Sequence, residues 1–163
     1  LPIPGGSTIH FSGVALIALG FGGWTAFVCA TLVLLMQAGL FGVGGITSVP
    51  VAALVIGFAG AWTAVGTARL LRRFGRRVAA FAAAWASIVL PSALMALILG
   101  LQPLLAHAPD GRPLFFPFGV DVTFVAVVVP HLVVGVGEGI LTVMMLEALR
   151  RMGVQVAWSE AQA

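Results

Sequence analysis

The chain is 163 residues long, 61% hydrophobic and 8% charged, with eight basic residues against five acids for a net charge of +3. Soluble domains carry roughly 25% charged residues, so this composition excludes an ordinary water-soluble domain and predicts a membrane protein. Every basic residue is Arg, and seven of the eight lie in two short clusters at the ends of apolar runs, which excludes the solvated basic face of a nucleic-acid binder.

The first residue is Leu, and no basic region precedes the first apolar run. That argues against a signal peptide and predicts a chain whose start is trimmed. Residues 1–8 read as an extended segment. Block 9–42 is apolar but broken by Gly-Phe-Gly-Gly-Trp at 20–24, and glycine punctuates a helical pattern. The piece 9–19 makes a half-helix of about 17 Å, whereas 24–42, at about 28 Å, can span. The single cysteine, Cys29, lies in this span; it excludes an intrachain disulfide framework and reads as a small buried hydrophobe.

The breaker 43–50 comes next, then spans over 51–73, 78–106 and 121–149, each long enough for a hydrocarbon core of ~30 Å. A polar loop at 107–119 joins the last two, and 150–163 form a tail. The fold class is all-α: a single transmembrane domain, a polytopic membrane helix bundle of about four spanning helices plus one half-helix. Arg beside a span marks the cytoplasmic side. Arg69, Arg72, Arg73, Arg76, Arg77, Arg150 and Arg151 therefore belong inside with the C-terminal tail, and Asp110 and Arg112 outside. The half-helix then climbs only partway and leaves His10 in the outer half of the membrane. Irregular backbone is tolerated there only where protein buries it or it lines a water-filled cavity. His10 is expected to face a cavity open to the outside.

His10, beside the amides of Gly5, Gly6 and Ser7, is either a ligand or a histidine bonded to a neighbouring carbonyl. Glu138 sits near the middle of the last span, where an ionised group costs roughly 2.5–3.5 kcal/mol. His131, Gly135, Glu138 and Thr142 recur at i, i+4, i+7 and i+11 and so share one helix face. His131 and Glu138 lie ~10 Å apart along the axis, so each is expected to find a partner on another helix. Two readings stand for them. One is structural pairing, which Glu138→Gln preserves and Glu138→Leu breaks. The other is a self-contained proton- or cation-conducting bundle using Glu138 and His131. Gly135 and Gly139 read as a small-residue helix contact, since a phosphate loop needs a Lys that the chain lacks. The aromatic stretch 113–118 reads as an interfacial anchor, His107 as a solvated loop residue, and Pro91 and Pro130 as helix kinks. No hydrolase signature or acid dyad is present, so the chain reads as no enzyme, with no permanently bound cofactor.

Several motifs together resemble a known family. They are Gly-Gly-Ser-Thr-Ile-His at 5–10, a short helix ending in Gly-Phe-Gly-Gly-Trp, Leu-Leu-Met-Gln-Ala-Gly-Leu-Phe-Gly at 34–42 and Gly-Gly-Ile-Thr at 44–47. The run 130–149, with Glu138, Gly139 and Thr142, is similar to that family's last helix. Over nearly its whole length the chain resembles CbiM/NikM, the substrate-capturing membrane components of cobalt and nickel energy-coupling-factor (ECF) transporters. The resemblance implies uptake of Ni(II) or Co(II) as transported substrate, with a membrane coupling protein and ATPase subunits as partners in the cell membrane. In that family the ion is held by nitrogens of a Met-His start and by one later histidine, whose position His10 occupies. Such a nitrogen set suits Ni(II), with Co(II) close behind. Ser7, Gln37, His131 and Glu138 are the candidates for lining the cavity around it. The chain departs from the family in lacking the Met-His start and first helices. It also has Pro50-Val51-Ala52 and Val55-Ile56 where the family has Gly-Ala-Asn and Asn-Met. It is expected to be an N-terminally shortened member whose remaining site binds divalent ions weakly.

Overall fold

Long apolar runs with glycine at their ends become helices in the computed structural model, which describes residues 2–3, 7–8, 11–42 and 45–157. The first residues are not simply extended: β1 (Pro2–Ile3) and β2 (Ser7–Thr8) pair antiparallel, Pro2 opposite Thr8 and Ile3 opposite Ser7. Then comes the short helix α1 (Val14–Phe21), 8 residues or ~12 Å long. It begins later than the 9–19 expected, because Gly13 holds a left-handed φ of 65° ahead of it. Gly22, at φ 98° and ψ 155°, separates it from α2 (Gly23–Phe41). Only glycine adopts both of those conformations without strain.

The second long helix, α3 (Ile46–Phe74), corrects the boundary expected at 51. It begins inside the apparent breaker, since Pro50 occupies the first α-helical turn, where a missing N–H leaves nothing unbonded. Residues Ala53–Ala59 then form a π-helical stretch before α-geometry resumes over Gly60–Leu71. Gly75, at φ 97°, reverses the chain into α4 (Arg76–Leu105). A loop leads to α5 (Val120–Arg151), and helical backbone continues through Pro91, Pro103 and Pro130. Four helices, α2 to α5, are long and apolar enough to cross a membrane.

Helices α4 and α5 run antiparallel. Gly100 lies against Val120 at one end, and Arg77 pairs with Glu147 at 3.0 Å at the other. The buried core is rich in small residues, Ala15 and Ala18 of α1, Ala61, Ala64 and Ala68 of α3, and Ala80, Ala83 and Ala84 of α4, packed with Val14, Leu19 and Leu146. Large apolar side chains such as Leu32, Leu40, Leu54 and Val133 point outward. Small residues inside let backbones approach, and large ones outside meet lipid, which is how a membrane bundle packs. At one junction a methyl group on Gly60 would sit 3.2 Å from the Ser87 carbonyl and 3.6 Å from Val14, so α1, α3 and α4 meet there.

Candidate functional site

The first amides of a helix have no partner within it and must find one outside. At the start of α1 that partner is a side chain of α5. Glu138, 3% exposed, accepts from the Ser12 amide through Oε2 at 3.0 Å, and through Oε1 from the Ser12 hydroxyl at 3.1 Å and the Gly13 amide at 2.8 Å. Ser12 Oγ in turn accepts from the Val14 amide at 3.3 Å. The carboxylate thus faces the positive end of a short helix dipole, which offsets part of the cost of burying it. Next to it, a methyl group on Gly137 would lie 3.0 Å from the Phe11 ring. Residues 11, 12 and 13 are therefore all held by the Gly137–Glu138 pair.

The neighbouring residues on α5 serve packing. A methyl on Gly135 would meet Ile88 and Trp85 at 3.0 Å, and one on Gly139 would meet the Phe81 ring at 2.6 Å. Both glycines are where α4 presses against α5, and Trp85 Nε1 donates to the Leu132 carbonyl at 3.2 Å across the same contact. Thr142 is buried on this stripe. His131 departs from expectation: its Nδ1 lies 2.6 Å from the Val127 carbonyl on its own helix, not against a partner across the bundle. That carbonyl lies one helical turn back on the same face, within reach of the ring. His131 and Glu138 remain ~10 Å apart along the axis and are each bonded elsewhere, so the structure does not bring them together as a relay.

Between α1, α2 and the π-stretch of α3 lies a cavity of about 50 Å³. Ser12, Cys29, Gln37 and Ile56 line it, with Val14 and Leu34 among its apolar walls. Gln37 and Ser12 therefore share one space, with Ile56 of the π-stretch on its wall. Cys29 is half-buried here rather than buried. The α2–α3 seam beside it is aromatic. Trp24 meets Trp62 edge-on at 4.7 Å, Phe58 stacks on Trp62 at 4.7 Å, and Phe27 meets Phe58 at 5.8 Å.

His10 lies outside the described residues, and Ser7 enters only as a backbone position in β2. Among the described residues no three His, Cys, Asp or Glu side chains gather to hold a metal. Ser12 is the site residue that motif reading passed over. A serine just before an apolar helical run is a recognised helix-start signal, so it was findable. In the loop between α4 and α5, His107 bridges to Pro113. There the Arg112 guanidinium, 2.6 Å from Asp110 Oδ2, holds that carboxyl below its ordinary value.

A model of the CbiM family, described as the cobalt uptake substrate-specific transmembrane region, matches residues 1–156. The probable fused nickel transport protein LarMN of Lactiplantibacillus plantarum is 35% identical over 153 residues, 93% of this chain and 47% of that protein. The fused nickel transport protein NikMN of Rhodobacter capsulatus is 37% identical over 158 residues, 93% of this chain and 46% of that protein. A crystal structure of a truncated transition metal transporter superposes with a TM-score of 0.89 at 34% identity, covering 93% of this chain and 72% of that one. The chain spans about half the length of the fused relatives it matches.

Proposed function

This chain belongs to the CbiM family, and on that premise we propose that it is the membrane component that captures Ni(II) or Co(II) from outside the cell and passes it inward. One observation carries the reading: the family match runs from residue 1 to residue 156 and takes in both the Gly-Gly-Ser-Thr-Ile-His stretch and the last span. The nickel transport names of the LarMN and NikMN relatives support Ni(II) as the first substrate to test.

In this reading His10 supplies the imidazole ligand to the transported ion. Ser7 flanks it, Gln37 offers an amide to the cavity that Ser12 also lines, and Glu138 orders the chain after it. His131 is a packing residue. The chain hydrolyses nothing itself. A membrane coupling protein and ATPase subunits of the energy-coupling-factor type supply the driving force. The whole chain acts as one transmembrane domain of the cell membrane, oriented with its Arg-rich end and C-terminus in the cytoplasm. Support for that orientation comes from Glu147, which lies 3.0 Å from Arg77 and 3.7 Å from Arg150 and so joins both Arg clusters at one end of the bundle.

The test is uptake of radiolabelled Ni(II) by cells carrying the natural gene product that contains this chain, with its coupling and ATPase subunits. His10→Ala is expected to abolish uptake while His107→Ala leaves it unchanged. Full uptake with His10→Ala would remove the imidazole from the transport site.

A further inference from the structure

We propose that the Arg-rich end of the bundle holds an anionic phospholipid, with its phosphate on Arg76, Arg77 and Arg150 and the start of an acyl chain against the apolar wall beneath them. Such a site requires only that the helices span a membrane, and it is the same for either orientation of the chain.

Three segments meet here: the start of α4, the end of α5 and the turn that follows it. Gly153, at φ 78°, turns the chain back after α5, and the Val154 amide donates to the Leu149 carbonyl at 3.0 Å. That turn returns Val156, 3% exposed, to the core with Ala80 and Leu146. Between the segments lies a cavity of about 30 Å³. Ala80, Val143, Leu146 and Val156 wall it, and the exposed Arg76, Arg77 and Arg150 stand around it with Glu147. Charge at this place is unbalanced. Glu147 lies 3.0 Å from Arg77 and 3.7 Å from Arg150, so one carboxylate faces three cations around the cavity. Arg69, Arg72, Arg73 and Arg151 follow nearby in the chain, and Glu147 is the one acid among the described residues of this end. Like charges so close repel one another, and an anion relieves the repulsion. A dissolved anion would match the charge alone. The wall asks for more. Val143 precedes Arg150 by seven residues, about 10 Å along the axis, so apolar surface continues into the span beneath the guanidinium groups. An anionic phospholipid carries both parts in that order, a phosphate level with the helix ends and hydrocarbon starting below it. Basic pockets between spans take such headgroups, and Arg reaches them while its stem lies along apolar surface. An acidic segment of a partner protein would meet the guanidinium groups but leave the wall uncovered.

Native mass spectrometry of the purified natural gene product, titrated in detergent with phosphatidylglycerol or with phosphatidylcholine, tests this. One phosphatidylglycerol is expected to bind ahead of any further lipid, with phosphatidylcholine weaker by about tenfold or more. Arg76→Gln and Arg150→Gln should each weaken that first adduct about fivefold, the worth of one basic residue at an anionic surface. Arg72→Gln removes the same charge from outside the cavity and should weaken it about twofold or less, since solvent screens the more distant charge. Val143→Asn keeps every charge and wets the wall, and should weaken it about three- to tenfold. Equal binding of the two lipids overturns the proposal. So does equal weakening in Arg72→Gln and Arg76→Gln, which would reduce the attraction to overall charge. Wild-type binding in Val143→Asn, or in Arg76→Gln combined with Arg150→Gln, overturns it too. Displacement of phosphatidylglycerol by an equal concentration of inorganic phosphate would make this a site for a dissolved anion instead. Loss of the coupling and ATPase subunits from the double Arg variant, with its lipid binding unchanged, would assign the surface to a protein. None of these results bears on the ligand role of His10, which Ni(II) uptake tests separately.

Discussion

A carboxylate in a membrane span is stable only when groups that point at it replace water. Glu138 has three such groups, two of them backbone amides that no substitution at Ser12 or Gly13 short of proline would remove. Glu138→Leu leaves those amides bare at about 1–3 kcal/mol each. It is therefore expected to lower the melting temperature of the detergent-solubilised protein well below that of the parent. Glu138→Gln should fall between the two. This revises the expectation that glutamine simply preserves the shape, since its NH₂ is a donor where an acceptor stands. For His131 the opposite holds. Its ring bonds a carbonyl of its own helix, so His131→Ala should cost about 1 kcal/mol or less and spare Ni(II) uptake; abolished uptake in a folded variant would return His131 to the ion path. That Glu138 had to be paired was legible in its position within an apolar run. Its partner was not, because Ser12 lies 126 residues away and no periodic signal crosses that distance.

Where two helices touch through glycine, the contact is a matter of tenths of an ångström. Gly139 of α5 faces the Phe81 ring so closely that a methyl would stand 2.6 Å from it. Gly139→Val is expected to destabilise by about 1–3 kcal/mol through overpacking. Phe81→Ala in the same chain should recover part of that loss, since neighbours in contact are not additive. Thermal melts of the two single variants and the double variant check this, and a fully additive cycle would mean that the helices do not touch there. Hydropathy and glycine made the long helices readable, because a run of apolar residues has few other solutions in lipid. The ends were harder. Pro50 looks like a stop and is a start, as its ring suits a first turn. The onset of α1 at Val14 is set by Gly13 and by a contact from α5, neither of which leaves a trace in local hydropathy. The π-stretch Ala53–Ala59 widens a helix without changing its composition. It was invisible for that reason, although it brings Gly57 against Phe27 and Ala30 of α2.

For the molecule as a whole, the described ion pairs lie at the two ends, with Glu138 the carboxylate between them. Arg77, Glu147 and Arg150 join at one end, while Asp110 and Arg112 pair in the loop at the other. The expected orientation puts the first end in the cytoplasm, by the preference of Arg for that side. Cysteines introduced singly at Gly75 and Gly111, in a Cys29→Ala background, report on it. An impermeant thiol reagent should label position 111 in intact cells and position 75 only after permeabilisation. The reverse pattern would invert the chain and put the Arg-rich end outside. Both glycines carry positive φ in exposed turns, at 97° and 81°, so modest strain is expected on substitution while the reagent has free access.

The bond from residue 138 to residues 12 and 13 also sets a timetable. A ribosome delivers α1 and the next three helices to the bilayer before it has made α5. Throughout that interval the Ser12 and Gly13 amides have no Glu138 carboxylate to meet, so α1, made ahead of α2 to α5, waits for the last of them before it is seated. In a Cys29→Ala background, a Ser12→Cys probe should react readily with a permeant thiol reagent in nascent chains halted at residue 119. It should become protected once the chain has passed residue 151 and α5 has entered. Early and equal protection would mean that the opening stretch is seated without its distant partner.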